Sequence, residues 1–60
     1  MAVTITIPAA GIADAIAMRD QIKQILQEDE RAEIATGGVA VRTKNPARVS
    51  LELMALGIID

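Results

Sequence analysis

The chain has to build its core without a single aromatic side chain. Of its 60 residues, 31 are hydrophobic and 11 of those are Ala, while Phe, Trp, Tyr, His and Cys are all absent. A core this small contributes about 3–5 kcal/mol, and such domains usually add a disulfide, a metal or a partner subunit. Disulfides need Cys, and structural zinc needs Cys or His. Association with other chains is therefore the expected source of further stability.

The missing residue types also limit the chemistry that the chain can perform. Most general bases near neutral pH, nucleophilic thiols and base-stacking surfaces come from His, Cys and aromatic side chains. The net charge of −2 gives no electrostatic attraction to nucleic acid or to an anionic membrane. We therefore expect no enzymatic activity, no cofactor, no catalytic or metal site, and binding neither to membranes nor, by the chain alone, to DNA or RNA.

Two charged groups are the remaining candidates for a site. The acidic group consists of Glu28, Asp29, Glu30 and Glu33. It lacks the alternating oxygen ligands and central Gly of a calcium loop, so we interpret it as a solvated turn. The basic group consists of Arg42, Lys44 and Arg48. With no aromatic residue between its members, it is interpreted first as a surface that aids solubility or forms salt bridges, and second as an anion or nucleic-acid contact.

Residues 1–8 are predicted to form an N-terminal strand or arm, because residues 3–7 alternate apolar and polar side chains. Val3, Ile5 and Ile7 share one face, each residue from 3 to 7 is β-branched, and Pro8 ends the run. This pattern is typical of a half-buried strand. A strand this short has to join a sheet, either that of its own chain or that of a neighbouring subunit.

Residues 10–28 change to a helical period. The apolar positions on one side of this predicted helix are Ile12, Ala15, Met18, Ile22, Ile25 and Leu26. Ile16 widens the stripe, so we expect the helix to contact more than one neighbour.

Residues 32–43 contain the most specific local pattern, two strand-like runs on either side of Gly37-Gly38. Two glycines can adopt positive φ at both positions of a two-residue turn. A turn at that point pairs Thr36 with Val39, Ala35 with Ala40, Ile34 with Val41, and Glu33 with Arg42. The alternative continues the first helix to Thr36, with Gly37 as its C-cap.

A second helix is predicted over residues 46–56. Asn45 is a favourable N-cap, and Pro46 suits the first helical position because no amide hydrogen is needed there. Gly57 is placed to cap the other end, before an apolar tail at residues 57–60.

The two ends of the chain carry more aliphatic surface than so small a core is expected to cover. We predict that these residues contact partner subunits. They are Val3, Ile5, Ile7, Leu51, Met54, Ile58 and Ile59. The alternative for the tail is that it folds back on its own helix.

A helix, a hairpin turned by glycines and a second helix resemble the small head–tail joining proteins of tailed phages (the gpW type). The resemblance covers about residues 10–56 and rests on element order and size. It implies a homo-oligomer or larger protein assembly, located in the virion or, before assembly, in the host cytoplasm. We therefore predict a single α+β domain over residues 1–60 that serves as a structural subunit at the head–tail joint, neck or capsid. The strand near the N-terminus and the lack of a basic tail depart from that type.

Residues 1–8 followed by a helix are also similar to the start of ribbon–helix–helix regulators and antitoxins. In that family the strand pairs across a dimer and its outward residues read DNA, which implies Thr4 and Thr6 as the reading positions. The family favours Arg, Lys, Asn or Gln there and separates its helices by a few residues. Here 17 residues separate Glu28 from Pro46. A dimeric DNA-binding regulator is therefore the second prediction.

Overall fold

One three-stranded sheet organises the fold. The computed structural model describes all of residues 1–60. In chain order its elements are β1 (Val3–Pro8), α1 (Ile12–Lys23), β2 (Arg31–Ala35), β3 (Gly38–Thr43) and α2 (Pro46–Ala55). The strand order is β1-β3-β2, and both pairings are antiparallel. The predicted α+β class and the order strand, helix, hairpin, helix are confirmed.

The core lies between the two helices and one face of the sheet. Its buried members are Ile7, Ala15, Ile22, Val39, Val41, Val49 and Leu53. Because side chains of a strand alternate between the two faces, the intervening residues of each strand lie on the opposite face. No helix covers that second face, where Thr4, Thr6 and Arg42 are exposed.

β1 belongs to the sheet of its own chain. It pairs with β3 along its whole length, from Val3 opposite Thr43 to Pro8 opposite Gly38. Of the two predicted alternatives for this strand, pairing within the chain is the one observed. The fold therefore differs from a ribbon–helix–helix, because a hairpin separates the helices and supplies the partner strand.

The hairpin is present, but its predicted register is wrong. The observed pairs are Arg31 with Arg42, Ala32 with Val41, Glu33 with Ala40, Ile34 with Val39, and Ala35 with Gly38. The turn therefore lies at Thr36 and Gly37, and only Gly37 has positive φ, at 83°. Each residue of β3 pairs with the residue of β2 two positions earlier than predicted. A shift of two positions leaves every side chain on the predicted face of the sheet, but the Glu33–Arg42 pair is not formed.

Gly38 is needed in the sheet rather than in the turn. A Cβ atom at this position would lie 1.9 Å from the carbonyl oxygen of Ile7. Only a residue without a side chain allows the backbone of β1 to approach β3 this closely. The third strand therefore determines which glycine forms the turn.

α1 is shorter than the predicted helix over residues 10–28. After Lys23 the amides of Gln24 and Ile25 bond to carbonyl groups three residues earlier, which tightens and ends the helix. The next residues form a turn of their own, in which the amide of Gln27 donates to the Glu30 carboxylate at 2.7 Å. Ile12, predicted to face the core, is 66% exposed.

α2 begins at Pro46, as predicted, and ends at Ala55, one residue before the predicted end. The amide of Arg48 donates to the Asn45 side chain at 3.4 Å, and Pro46 occupies the first turn. At the other end Gly57 has φ of 76°, and the amide of Ile58 donates to the carbonyl of Leu53 at 2.9 Å. This is a Schellman cap, which turns the chain back and brings Ile58 against the core.

The two helices lie side by side and run in opposite directions. α1 packs on β2 and β3. The guanidinium of Arg48, near the start of α2, donates to the carbonyl of Ile25 just beyond the end of α1. Leu56 and Ile58, at the other end of α2, line a crevice with Ala17 of α1 and with Pro8. The C-terminal end of α2 therefore lies beside the end of β1.

Candidate interaction surface

α2 has a second apolar side, opposite the one that faces the core. Val49 and Leu53 are fully buried, whereas Leu51 is 67% and Met54 49% exposed. Exposed alanines continue this second side at helical spacing. We call the outer face of α2 the stripe formed by Ala47, Leu51, Met54 and Ala55. Sequence reasoning predicted Leu51 and Met54 but missed the two alanines, although their spacing of four residues from Leu51 was the available signal.

A nearly buried ion pair holds the start of α2 in place. The side chain of Glu30 is 3% exposed and accepts a hydrogen bond from the Arg48 guanidinium. The Thr43 hydroxyl donates to the same carboxylate at 2.5 Å and accepts from the amide of Asn45 at 2.9 Å. Arg48 also donates to the carbonyl of Ile25 at 3.3 Å. This network joins the loop after α1, the end of β3 and the N-cap of α2.

The network keeps the Glu30 carboxylate ionised. Burial by itself raises the pKa of this carboxyl group, but hydrogen bonds from Arg48, Thr43 and the amide of Gln27, with the attraction of the Arg48 charge, lower it to about 2. Hydrogen bonding to Glu30 is also the main cause that raises the pKa of Arg48 above its usual value. A carboxylate with these partners has no proton to exchange at neutral pH, so its role is structural.

The interpretation of the acidic group as a solvated turn is wrong for Glu30, whose side chain is almost fully buried. Glu28 and Asp29 are exposed as expected, but Glu30 points inwards to Arg48. The salt-bridging interpretation of the basic group is confirmed for Arg48. The two residues are 18 positions apart, and no local pattern indicates that they meet.

The seven predicted partner-interface residues divide into three groups. Ile7 is 2% exposed and is a core residue, so its assignment to a partner contact is wrong. The partly buried residues that pack against the same core are Ile5, Ile58 and Ile59. They lie there because β1 joins its own sheet and because the Schellman cap folds the tail back. The residues that remain exposed are Val3, Leu51 and Met54, and their contact with a partner stays a prediction.

The uncovered face of the sheet carries two arginines that sequence reasoning did not bring together. Arg31 and Arg42 are opposite each other across β2 and β3. With Thr4, Glu33 and Ala40 they line a shallow concavity. Neither arginine forms an ion pair, and like charges placed opposite each other weaken a strand pair. This face is polar, in contrast to the outer face of α2.

No three acidic side chains lie close enough together to hold a metal ion. Neither helix has the length and apolar character needed to cross a membrane. Comparison with protein-family models, with curated proteins and with solved structures finds no match to this chain. Its function therefore has to be inferred from the surfaces described above.

Proposed function

We propose that the protein is a non-enzymatic structural subunit that acts by binding other protein subunits. The observation that carries this proposal is the outer face of α2, where Leu51 and Met54 stay exposed while Val49 and Leu53 of the same helix fill the core. Burying one such aliphatic side chain contributes roughly 1.5–3 kcal/mol. Burial of two such side chains per subunit would therefore contribute about as much free energy as the whole core, which supplies about 3–5 kcal/mol in a domain of this size.

The small core supports the same proposal. Only seven hydrophobic residues are buried, two of which lie on α1, and one of those two is Ala15. Chains of this length that lack disulfides and metals usually gain their remaining stability from oligomerisation. Binding to another subunit stabilises the folded state by mass action, so a marginal monomer is compatible with a durable assembly.

The specific setting that we propose is a phage virion, at the head–tail joint, neck or capsid. The order of α1, the hairpin and α2 supports a subunit of the head–tail joining kind. β1 is an addition to that plan, because it extends the hairpin to a three-stranded sheet. In this setting the outer face of α2 is buried against a neighbouring subunit of the assembly.

The double variant L51S/M54S tests the proposal. It should lower the mass of the protein in solution, measured by sedimentation velocity across a concentration series, while the far-UV circular dichroism of the fold is retained. The matched control is I12S, because Ile12 is as exposed as Leu51 (66% against 67%) but lies on α1. The control should keep the mass of the parent. An unchanged mass for the double variant would contradict the proposal.

A further inference from the structure

The two edges of the sheet are chemically different. β2 forms one edge and carries the charges of Arg31 and Glu33. β1 forms the other edge, has no charged residue, and is β-branched from Val3 to Ile7. Charges on an edge strand oppose pairing with another chain, and their absence permits it. β1 is therefore the edge that can accept a further strand.

The backbone of β1 offers unpaired groups along this edge. The amide of Ala9 donates to the carbonyl of Gly37 at 3.0 Å, so the odd-numbered residues direct their polar groups towards β3. By the alternation of an antiparallel ladder, Thr4 and Thr6 direct their amide and carbonyl groups outwards. Pro8 also lies on the outward side, where a residue without an amide hydrogen costs no bond to β3.

Exposed apolar surface lies beside the same edge. The C-terminal end of α2 lies beside Pro8 at the end of β1, and Met54 is on the side of α2 turned away from Arg48, whose guanidinium reaches the end of α1. Val3, on the helix-covered face of β1, is still 43% exposed. An added strand would cover Val3, and an added helix above it would cover Met54.

We propose that β1 pairs antiparallel with β1 of a second copy of this chain, which joins two three-stranded sheets into one of six strands. A two-fold axis places the same patch on both partners, so the segment has to be self-complementary. β1 meets this condition, because pairing centred on Ile5 sets Thr4 opposite Thr6 of the second copy. All outward amides of the two threonines then find carbonyl partners. The absence of charge on β1 and on the outer face of α2 means that no like charges meet in this contact.

This inference deepens the proposed function and rests on it, since it identifies the partner subunit and the contact. The same two-fold axis turns the sides of the two α2 helices that carry Met54 towards each other above the joined strands. Hydrogen bonds of the backbone then define the direction of pairing, while burial of Val3 and Met54 supplies the free energy.

T6P is the decisive variant, with T6V as its matched control. T6P removes the outward amide hydrogen, and no hydrogen bond to β3 is lost, because Thr6 faces Ala40 at a position of the β1–β3 ladder without such bonds. T6V keeps the amide and changes only an exposed side chain. We expect T6P to sediment at 6.3 kDa, the mass of one chain, and T6V to keep twice that mass. A chain synthesised with N-methylated Thr4 repeats the test if proline disturbs the strand.

Amide hydrogen exchange gives an independent readout. At concentrations where the protein is dimeric, the amides of Thr4 and Thr6 should exchange at least 100-fold more slowly than on dilution to monomer. If T6P and the N-methylated chain stay dimeric, or if these amides exchange freely in the dimer, the strand pairing is refuted. A loss of mass in L51S/M54S together with an unchanged mass in T6P refutes the strand pairing but retains the proposed function. An unchanged mass in both refutes the two proposals together.

Discussion

The Glu30–Arg48 pair makes a quantitative prediction about stability and pH. A pKa lowered from 4.5 to about 2 by folding corresponds to about 3 kcal/mol of linked stability. Because the Arg48 side chain is 24% exposed, solvent screening reduces this to about 2 kcal/mol. Since the folded-state pKa is the lower one, this contribution is present above pH 4.5 and is lost as the pH falls towards 2.

The variant E30Q isolates this contribution. It should be about 2 kcal/mol less stable than the parent at pH 7, and the difference should shrink as the pH falls from 4.5 and approach zero below pH 2, where the parent carboxyl becomes neutral as well. For a domain of this size, 2 kcal/mol corresponds to about 8–16 °C in Tm. The assay is urea or thermal unfolding followed by far-UV circular dichroism, because the chain has no Trp or Tyr to report by fluorescence.

E28Q is the control, because Glu28 lies in the same acidic group but is exposed. It should stay within about 0.5 kcal/mol of the parent at every pH. The reasoning is refuted if E30Q is as stable as E28Q at pH 7. It is refuted as well if the difference between E30Q and the parent does not depend on pH.

G38A should destabilise the fold severely, because its Cβ would overlap the Ile7 carbonyl oxygen, whereas G11A, which meets nothing within 4 Å, should change the melting temperature little. L53A should cost about 2–5 kcal/mol by opening a cavity at a fully buried position, enough to unfold much of the protein at 25 °C as judged by circular dichroism. The net charge of −2 predicts no mobility shift of DNA or RNA at physiological salt, and a sequence-dependent shift at micromolar protein would contradict this.

The elements that were predictable from the sequence are those with local physical causes. Asn45 and Pro46 start α2 because a side-chain acceptor and a residue without an amide hydrogen suit a helix N-terminus. Gly57 ends it because positive φ is needed there. The strand character of residues 3–7 and the presence of a hairpin near Gly37 follow from equally local patterns.

The features that were not predictable depend on contacts between distant parts of the chain. The hairpin register depends on β1. The backbone of Ile7 approaches β3 so closely that residue 38 has to be a glycine, which places Gly38 in the strand rather than in the turn. The burial of Glu30 depends on Arg48, which comes from α2. Ile7 and Ile58 pack on the core because each end of the chain folds back on the domain. Composition and periodicity do not predict whether a chain end folds back or contacts another subunit.

The mass of the unmodified protein in solution tests the central claim most directly. Native mass spectrometry and sedimentation velocity between about 1 and 500 μM suit a chain without aromatic absorbance when interference optics are used. Association through the β1 edge and the outer face of α2 predicts a mass of at least two chains, each of 6.3 kDa, that falls on dilution. A monomer that melts cooperatively and keeps the single-chain mass over the whole range would contradict the claim.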